Sequence, residues 1–361
     1  MAEVVELSNL TLNNEEARST SEVIFEKTIE SPELSAVHRV DTDVDMDKFI
    51  PIVGELGLVG KADPGGCATN EITEVIPVSE KTWEPKLISG RLPICATDIP
   101  AKIKFWKRAR QANKTWEEID NEYMAFVEDQ GIKAVHNSII RHTEFGDKTA
   151  SPFGDATGNQ TLTVGTDKTF FNVINGMWEQ VEADLALAPN NEGYHYSITE
   201  NGLATTALQL VLAADRALKA MRALYENIDP VAFEGNLVFA MTRTMFNNWT
   251  AFLEDQSLAF MLTQAESKGG VSGFSYRGIP IVVRLDWDKT IKTYYNNGTT
   301  LHYPHRIILA DIDNLPVGTR DSESLKDFSA QYDFVTKKWY MDFAYTIDMK
   351  ILLESQIAYA L

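Results

Sequence analysis

The longest regular pattern of apolar positions in the chain is helical. Thr115-Trp116-Glu117-Glu118 places a Glu three residues after a Thr, the spacing of a capping box. Trp116, Ile119, Tyr123, Phe126 and Val127 follow at three- and four-residue steps, and Val135 and Ile139 continue the stripe. The pattern predicts a helix over 115–143, much longer than the usual ~11–12 residues, with Gly131 as a point of bending or interruption. A Gly/Thr/Asp-rich connection at 145–168 reads as a boundary. Beyond it, helices are predicted over 170–187, 205–225 and 242–265. The second has the clearest apolar side, carrying Leu208, Val211, Leu212, Leu218, Met221, Leu224 and Tyr225.

Strand patterns lie on either side. Short apolar runs at 237–241, 278–283 and 306–310 predict buried strands. Near the C-terminus Trp339, Met341, Phe343, Tyr345 and Ile347 alternate with Tyr340, Asp342, Ala344, Thr346 and Asp348, the signature of a half-buried strand. A weaker alternation runs over 37–44. Residues 48–98 hold β-prone runs interrupted by Pro77, Pro85 and Pro93 and by the loop Asp63-Pro64-Gly65-Gly66. Proline keeps such runs out of a sheet centre. The stretch therefore predicts a long open hairpin with little core of its own, an element that needs another surface to lie on.

Composition narrows the classes. With 361 residues, 44% of them hydrophobic and 24% charged, the chain can bury a sizeable core in one elaborated domain or a few small ones. It has no apolar run of the ~18 residues that a membrane helix needs. Its N-terminus is acidic and lacks the pattern of a signal peptide. Two cysteines, Cys67 and Cys95, build no disulfide framework and point to a reducing compartment. The net charge of −19 disfavours tight binding to DNA or to an anionic membrane, since both depend on basic groups. Residues 1–50 hold twelve acidic and four basic side chains, which suits an arm that orders against a neighbour. Residues 102–114 invert the sign, with Lys102, Lys104, Lys107, Arg108, Arg110 and Lys114 and no acid. Basic and aromatic residues together can hold nucleic acid, but in so acidic a chain a dock for an acidic segment is the better reading.

Catalytic chemistry is hard to find. The sequence has no P-loop, and no GxGxxG follows a strand. Gly270-Val271-Ser272-Gly273 is followed by Phe274, which spoils a nucleophile elbow. The alternating Asp41, Asp43, Asp45 and Asp47 lack the Gly and Glu of a calcium loop, where Met46 and Ile52 stand instead. Pro304 between His302 and His305 argues against a shared metal-binding helix face. No enzymatic function, cofactor or metal is expected.

The order of the parts carries more than any motif. An acidic arm, a long hairpin, one very long helix, a compact α/β unit and a closing strand follow one another. The stretches Arg277-Gly278-Ile279-Pro280-Ile281-Val282 and Ala310-Asp311-Ile312-Asp313-Asn314-Leu315-Pro316-Val317-Gly318-Thr319 precede the strand from Trp339 into Gln356-Ile357-Ala358-Tyr359. This arrangement resembles the major capsid proteins of tailed bacteriophages, the Hong Kong 97-type shell fold. The resemblance implies an α+β fold with an N-arm at 1–47, an E-loop at 48–98, a peripheral domain with the spine helix at 99–159, an axial domain at 160–328 and a return strand at 329–361. It implies self-assembly into pentamers and hexamers of an icosahedral shell around double-stranded DNA, which the shell meets only non-specifically. It also implies a portal partner, possible decoration proteins and a virion location after assembly in the host cytoplasm. Because only about 35 residues precede the body, a separate scaffolding protein is expected. Lys104, Lys107, Arg108, Arg110, Asp63 and Trp83 are the expected inter-subunit contacts. Lys61, Lys81 and Lys86 fall in the hairpin, but no Asn and Glu partners match them for a covalent cross-link. An encapsulin-type compartment enclosing a cargo enzyme is the alternative with the same fold, and a soluble enzyme with dispersed catalytic residues is the more distant one.

Overall fold

The computed structural model describes residues 32–53 (apart from 43 and 45–47), 78–95, 133–256, 274–320, 329–333 and 338–361. In chain order the strands are β1 (Arg39–Asp41), β2 (Phe49–Val53), β3 (Val78–Thr82), β4 (Lys86–Cys95), β5 (Tyr194–Tyr196), β6 (Leu237–Thr242), β7 (Ser275–Tyr276), β8 (Ile279–Arg284), β9 (Ile307–Asp311), β10 (Pro316–Gly318), β11 (Ser329–Asp333), β12 (Lys338–Met349) and β13 (Ala358–Ala360). The principal helices are α1 (133–145), α2 (Met177–Ala186), α3 (Arg216–Asn227), α4 (Arg243–Asp255) and α5 (Leu285–Tyr294).

The short apolar runs form a six-stranded sheet in the order β5-β13-β9-β6-β8-β7. Alternation explains why β6 is buried throughout. Val238 and Ala240 face one apolar cluster, while Leu237, Phe239 and Met241 face the other. Ile308 and Ala310 of β9 join the first cluster, and Ile307 and Leu309 the second. Residues of α2 and α5 cover the first face, and the apolar stripes of α3 and α4 cover the second. A strand covered on both sides must be apolar at every position. Trp178 of α2 and Trp287 of α5 meet edge to face at 4.9 Å in the first layer.

A second sheet is built on β12. It pairs antiparallel with β4 from Lys338↔Cys95 to Ile347↔Lys86, and with β11 on its other side. The end of β12 pairs with β10, which takes β1 as a parallel partner. Tyr345, Ile347 and Met349 of β12 enter the same apolar cluster as α2 and α5, so one core unites both sheets. Strands β2 and β3 form a separate antiparallel ribbon.

Several expectations change. The helix predicted over 170–187 begins only at Met177, with Gly176 as its N-cap. The chain crosses the end of α1 there: the Gly176 amide donates to the Gly146 carbonyl at 2.8 Å, and a Cβ on Gly176 would lie 2.8 Å or less from backbone atoms of Gly146, His142 and Thr143. The helix predicted over 205–225 is broken into a turn, Thr206–Gln209, and α3. Side chains capture the backbone groups that would have joined them. Glu200 accepts from the Ala213 amide, Asn248 donates to the Ala213 carbonyl and accepts from the Ala217 amide. The last β-prone run of the predicted hairpin is not in the ribbon, because β12 recruits it as β4. Pro93 is tolerated there because β4 has no partner but β12 among the described residues. Of the predicted long helix, 133–145 is observed; its start at 115 and Gly131 lie outside the described residues, as does the end of the helix predicted over 242–265.

The Gly146–Gly176 crossing yields a test. Replacing Gly176 with Ala forces Cβ into three backbone atoms and is expected to cost about 1–3 kcal/mol, read as a lower urea midpoint at unchanged slope.

Candidate subunit interface

Two buried ionic clusters hold the body together. The first centres on Glu144 near the end of α1, which is fully buried. Its carboxylate takes hydrogen bonds from Arg284 at the end of β8 and from the Trp287 indole of α5. Arg284 also donates to Asp286 at 2.8 Å. His38, just before β1, places Nδ1 3.2 Å from the Leu315 carbonyl and Nε2 3.7 Å from Glu144. Burial raises the Glu144 carboxyl against the pull of Arg284. Burial, and then the neighbouring Glu144 charge, push Asp286 up to about 7. Burial and the adjacent Arg284 charge bring His38 down to about 3, so its ring is neutral.

The second cluster surrounds Arg306, which is buried at the start of β9. Its guanidinium stacks 4.9 Å over Trp178, donates to the Tyr303 carbonyl at 2.9 Å and lies 3.3 Å from Glu182. Glu182 also meets His302 Nε2 at 2.8 Å. Burial opposes the Glu182 charge, but His302 and Arg306 outweigh it and hold the carboxyl below its usual range. His302 and His305 do not converge: His305 bonds to Thr244 at 2.8 Å and to the Gln209 carbonyl at 2.8 Å. The space beside Arg306 is about 10 Å³, room for a single water. An organic substrate does not fit there. Among the described residues no group of three or more His, Cys, Asp or Glu could hold a metal ion.

The exterior is more informative. The β2–β3 ribbon is rooted firmly and covered poorly. At its base Trp83 is buried, and its ring packs against Gly318 so closely that a Cβ there would lie 2.8 Å from the indole. The Trp83 amide donates to the Lys48 carbonyl, the Glu84 amide to Asp348, and Lys81 pairs with Glu354. Away from this root, Phe49, Pro51, Ser79 and Glu80 are exposed, and no ribbon residue whose burial is described is buried. Beside the root lies an open groove of about 850 Å³ between β4, α1 and the loop before α2. Leu87, Val164 and Phe170 expose apolar side chains along it. Arg141 stacks 5.8 Å from the Phe170 ring and donates to the Phe170 carbonyl at 3.0 Å.

Of the six predicted contact residues, Trp83 is the one the structure describes, and its ring binds the ribbon root to its own chain. Asp63, Lys104, Lys107, Arg108 and Arg110 lie outside the described residues. Glu144, Arg284, Glu182 and Arg306 were not singled out from the sequence. An isolated charged residue beside an apolar run, as in Arg306-Ile307-Ile308, was the only available signal. Among the described residues no helix is long and apolar enough to cross a membrane.

His142 supplies a pH test. Burial and the adjacent Arg141 charge lower its pKa to about 3, so the folded chain keeps it neutral while the unfolded chain takes up a proton below about 6.5. Its contribution is present above pH 6.5 and is lost as pH falls toward 3. Between pH 7 and pH 5 this amounts to about 2 kcal/mol. Denaturant melts at both pH values should show His142→Gln gaining about that much on the wild type as pH falls.

No protein-family model and no curated protein sequence matches the chain. Solved structures do. A chain in the structure of Gordonia phage Cozz aligns with a TM-score of 0.52 at 10% identity, covering 91% of this chain and 86% of that one. A chain of the satellite phage P4 procapsid, whose structure includes the size determination (Sid) protein, gives 0.48 at 13% identity over 94% and 98%. A chain of the capsid of an empty GTA particle gives 0.43 at 12% identity over 91% and 89%. At such identities the likeness is one of fold, and the Cozz comparison carries it. Across most of its length the chain therefore has the α+β fold of a phage Cozz chain, in keeping with the phage-capsid resemblance in the order of its sequence segments.

Proposed function

We propose that this chain is the major capsid protein of a tailed bacteriophage, assembling into pentamers and hexamers of an icosahedral head shell around double-stranded DNA. The observation that carries the proposal is the β2–β3 ribbon, anchored at Trp83, Lys81 and Glu84 yet with no buried position among the ribbon residues whose burial is described. A bare two-stranded ribbon is marginal in water. A fixed root makes sense if the burial comes from another subunit. The groove walled by Leu87, Phe170 and Arg141 exposes large apolar side chains among polar ones, a surface of the kind a neighbour covers. In this reading 1–47 is the N-arm, 48–98 the E-loop, 99–159 and 329–361 the peripheral domain and 160–328 the axial domain. Lys104, Lys107, Arg108 and Arg110, with Asp63, lie at subunit contacts, the basic four against an acidic segment of a neighbour, while Trp83 anchors the ribbon to its own chain. A portal, a scaffold and decoration proteins are its proposed partners, and the virion, assembled in the host cytoplasm, its location. Its role is structural, without catalysis.

Electron microscopy of the purified chain, alone and with its scaffold, tests this. Capsomers, shells or tubes are expected; a monodisperse monomer at high concentration overturns the proposal. Replacing residues 54–77 with a short Gly/Ser turn keeps β2, β3 and β4. That variant should melt within a few degrees of the wild type and fail to form shells. Changing Lys104, Lys107, Arg108 and Arg110 together to Glu should weaken assembly, as should added salt, since such pairs are screened over ~8 Å at physiological ionic strength. Intact shells in both conditions would remove the basic stretch from the interface.

A further inference from the structure

Residues 201–214 carry no charged side chain in a chain of net charge −19. Within them Leu208, Leu210 and Val211 are 53%, 51% and 71% exposed. Together they present on the order of 300 Å² of apolar surface, comparable to the largest patch on a typical monomer. Gln209 between them is buried and holds the segment still. Its amide nitrogen donates to the carbonyls of Asn201 at 2.8 Å and Leu301 at 3.0 Å, and its amide oxygen accepts from the Leu301 amide at 2.8 Å. The Gln209 carbonyl faces His305 Nε2 at 2.8 Å. The three apolar side chains are thus carried on a backbone that is already ordered, which lowers the cost of docking them.

A recess of about 480 Å³ lies elsewhere on the same sheet, lined by Phe233, Leu237, Ile279, Pro280 and Ile312, with the polar Asn236 and Asp313 also on its wall. Its place in the topology is the key observation. Gln209 is tied to Leu301 and His305, just before β9, whereas the recess follows β9 at Ile312. The apolar knob and the recess, with its apolar floor of Phe233, Leu237, Ile279 and Pro280, therefore occupy opposite ends of one strand. Complementary surfaces at opposite ends join copies head to tail, and such heterologous contacts close into rings when the rotation per step permits. The partner should be a second copy of this chain, because knob and recess belong to one body and the uncharged knob segment can approach a surface of net charge −19, Asp313 included, without adding to the repulsion.

We propose that Leu208, Leu210 and Val211 of one subunit seat in the recess lined by Phe233 and Pro280 on the next, making the ring contact within a capsomer. The contact rests on the shell reading above. In a chain with Cys67 and Cys95 changed to Ser, the pair V211C and F233C should give a ladder of disulfide-linked dimers, trimers and higher species under mild oxidation. V211C alone should give no cross-link. The full-length double variant L208D/V211D should keep the wild-type circular dichroism spectrum and sediment as a monomer under conditions where the wild type assembles. If the wild type assembles, this contact is overturned by an absent ladder, by V211C cross-linking to itself or by normal assembly of L208D/V211D. A wild type that never assembles overturns the shell reading and this contact with it. Should L208D/V211D fail to fold, the presence or absence of the ladder decides.

Discussion

The buried carboxylate of Glu144 is the constraint on which the rest of the body depends. It comes from near the end of α1, while its partners Arg284 and Trp287 come from the end of β8 and from α5. His38, leading into β1, closes the cluster. The helix of one layer, the six-stranded sheet and the strand that borders the second sheet thus meet at one charge. Replacing such a cluster by apolar groups is often nearly neutral, but removing one partner leaves a stranded charge and costs ~3–5 kcal/mol. The energetic logic is specificity: apolar side chains on α1 could slide against the sheet, whereas the Glu144 carboxylate is satisfied in a single arrangement.

Arg306 fixes a second point in the same core. Its guanidinium lies 4.9 Å from the Trp178 ring and 5.4 Å from the Phe145 ring, Glu182 pairs with it, and two carbonyls accept from it. Together the two clusters make a stiff body, and they leave unfinished work to the outside. Among the described residues the ribbon is bound at its root, the groove beside β4 exposes Leu87 and Phe170, and the segment around Gln209 carries exposed aliphatic side chains. A stiff body with uncovered apolar edges loses little further freedom on association. Strong overall acidity makes the uncharged surface the part that another acidic body could approach with least repulsion.

Legibility in the sequence followed the range of the interactions. The strand at 339–348 and the apolar runs at 237–241, 278–283 and 306–310 were readable because strand patterns are local. The first is nevertheless not half-buried as its alternation predicted: Ala344, Thr346 and Asp348 are buried along with Tyr345 and Ile347. The order of arm, hairpin, helix and closing strand pointed to the α+β architecture shared with the phage Cozz chain. The candidate interface was legible only as a hairpin in need of a surface; Trp83, expected at a neighbour, has its ring against Gly318 of its own chain.

What local pattern could not supply was decided by contacts distant in sequence. Leu208 and Val211 have helical spacing with Leu218 and Met221, yet Glu200 and Asn248 capture the intervening backbone and turn the first pair outward. The β-prone run at 86–95 would suit a hairpin as well as a sheet, and β12 takes it by offering a ten-residue register. Glu144 and Arg284 stand 140 positions apart, and nothing in either neighbourhood announces the other. The sequence by itself determined where strands and helices could form and in what order, because those preferences act within a few residues. Only the tertiary structure decided which apolar faces are covered and which charges are paired, because burial and Coulomb attraction depend on distance in space, which local sequence does not encode.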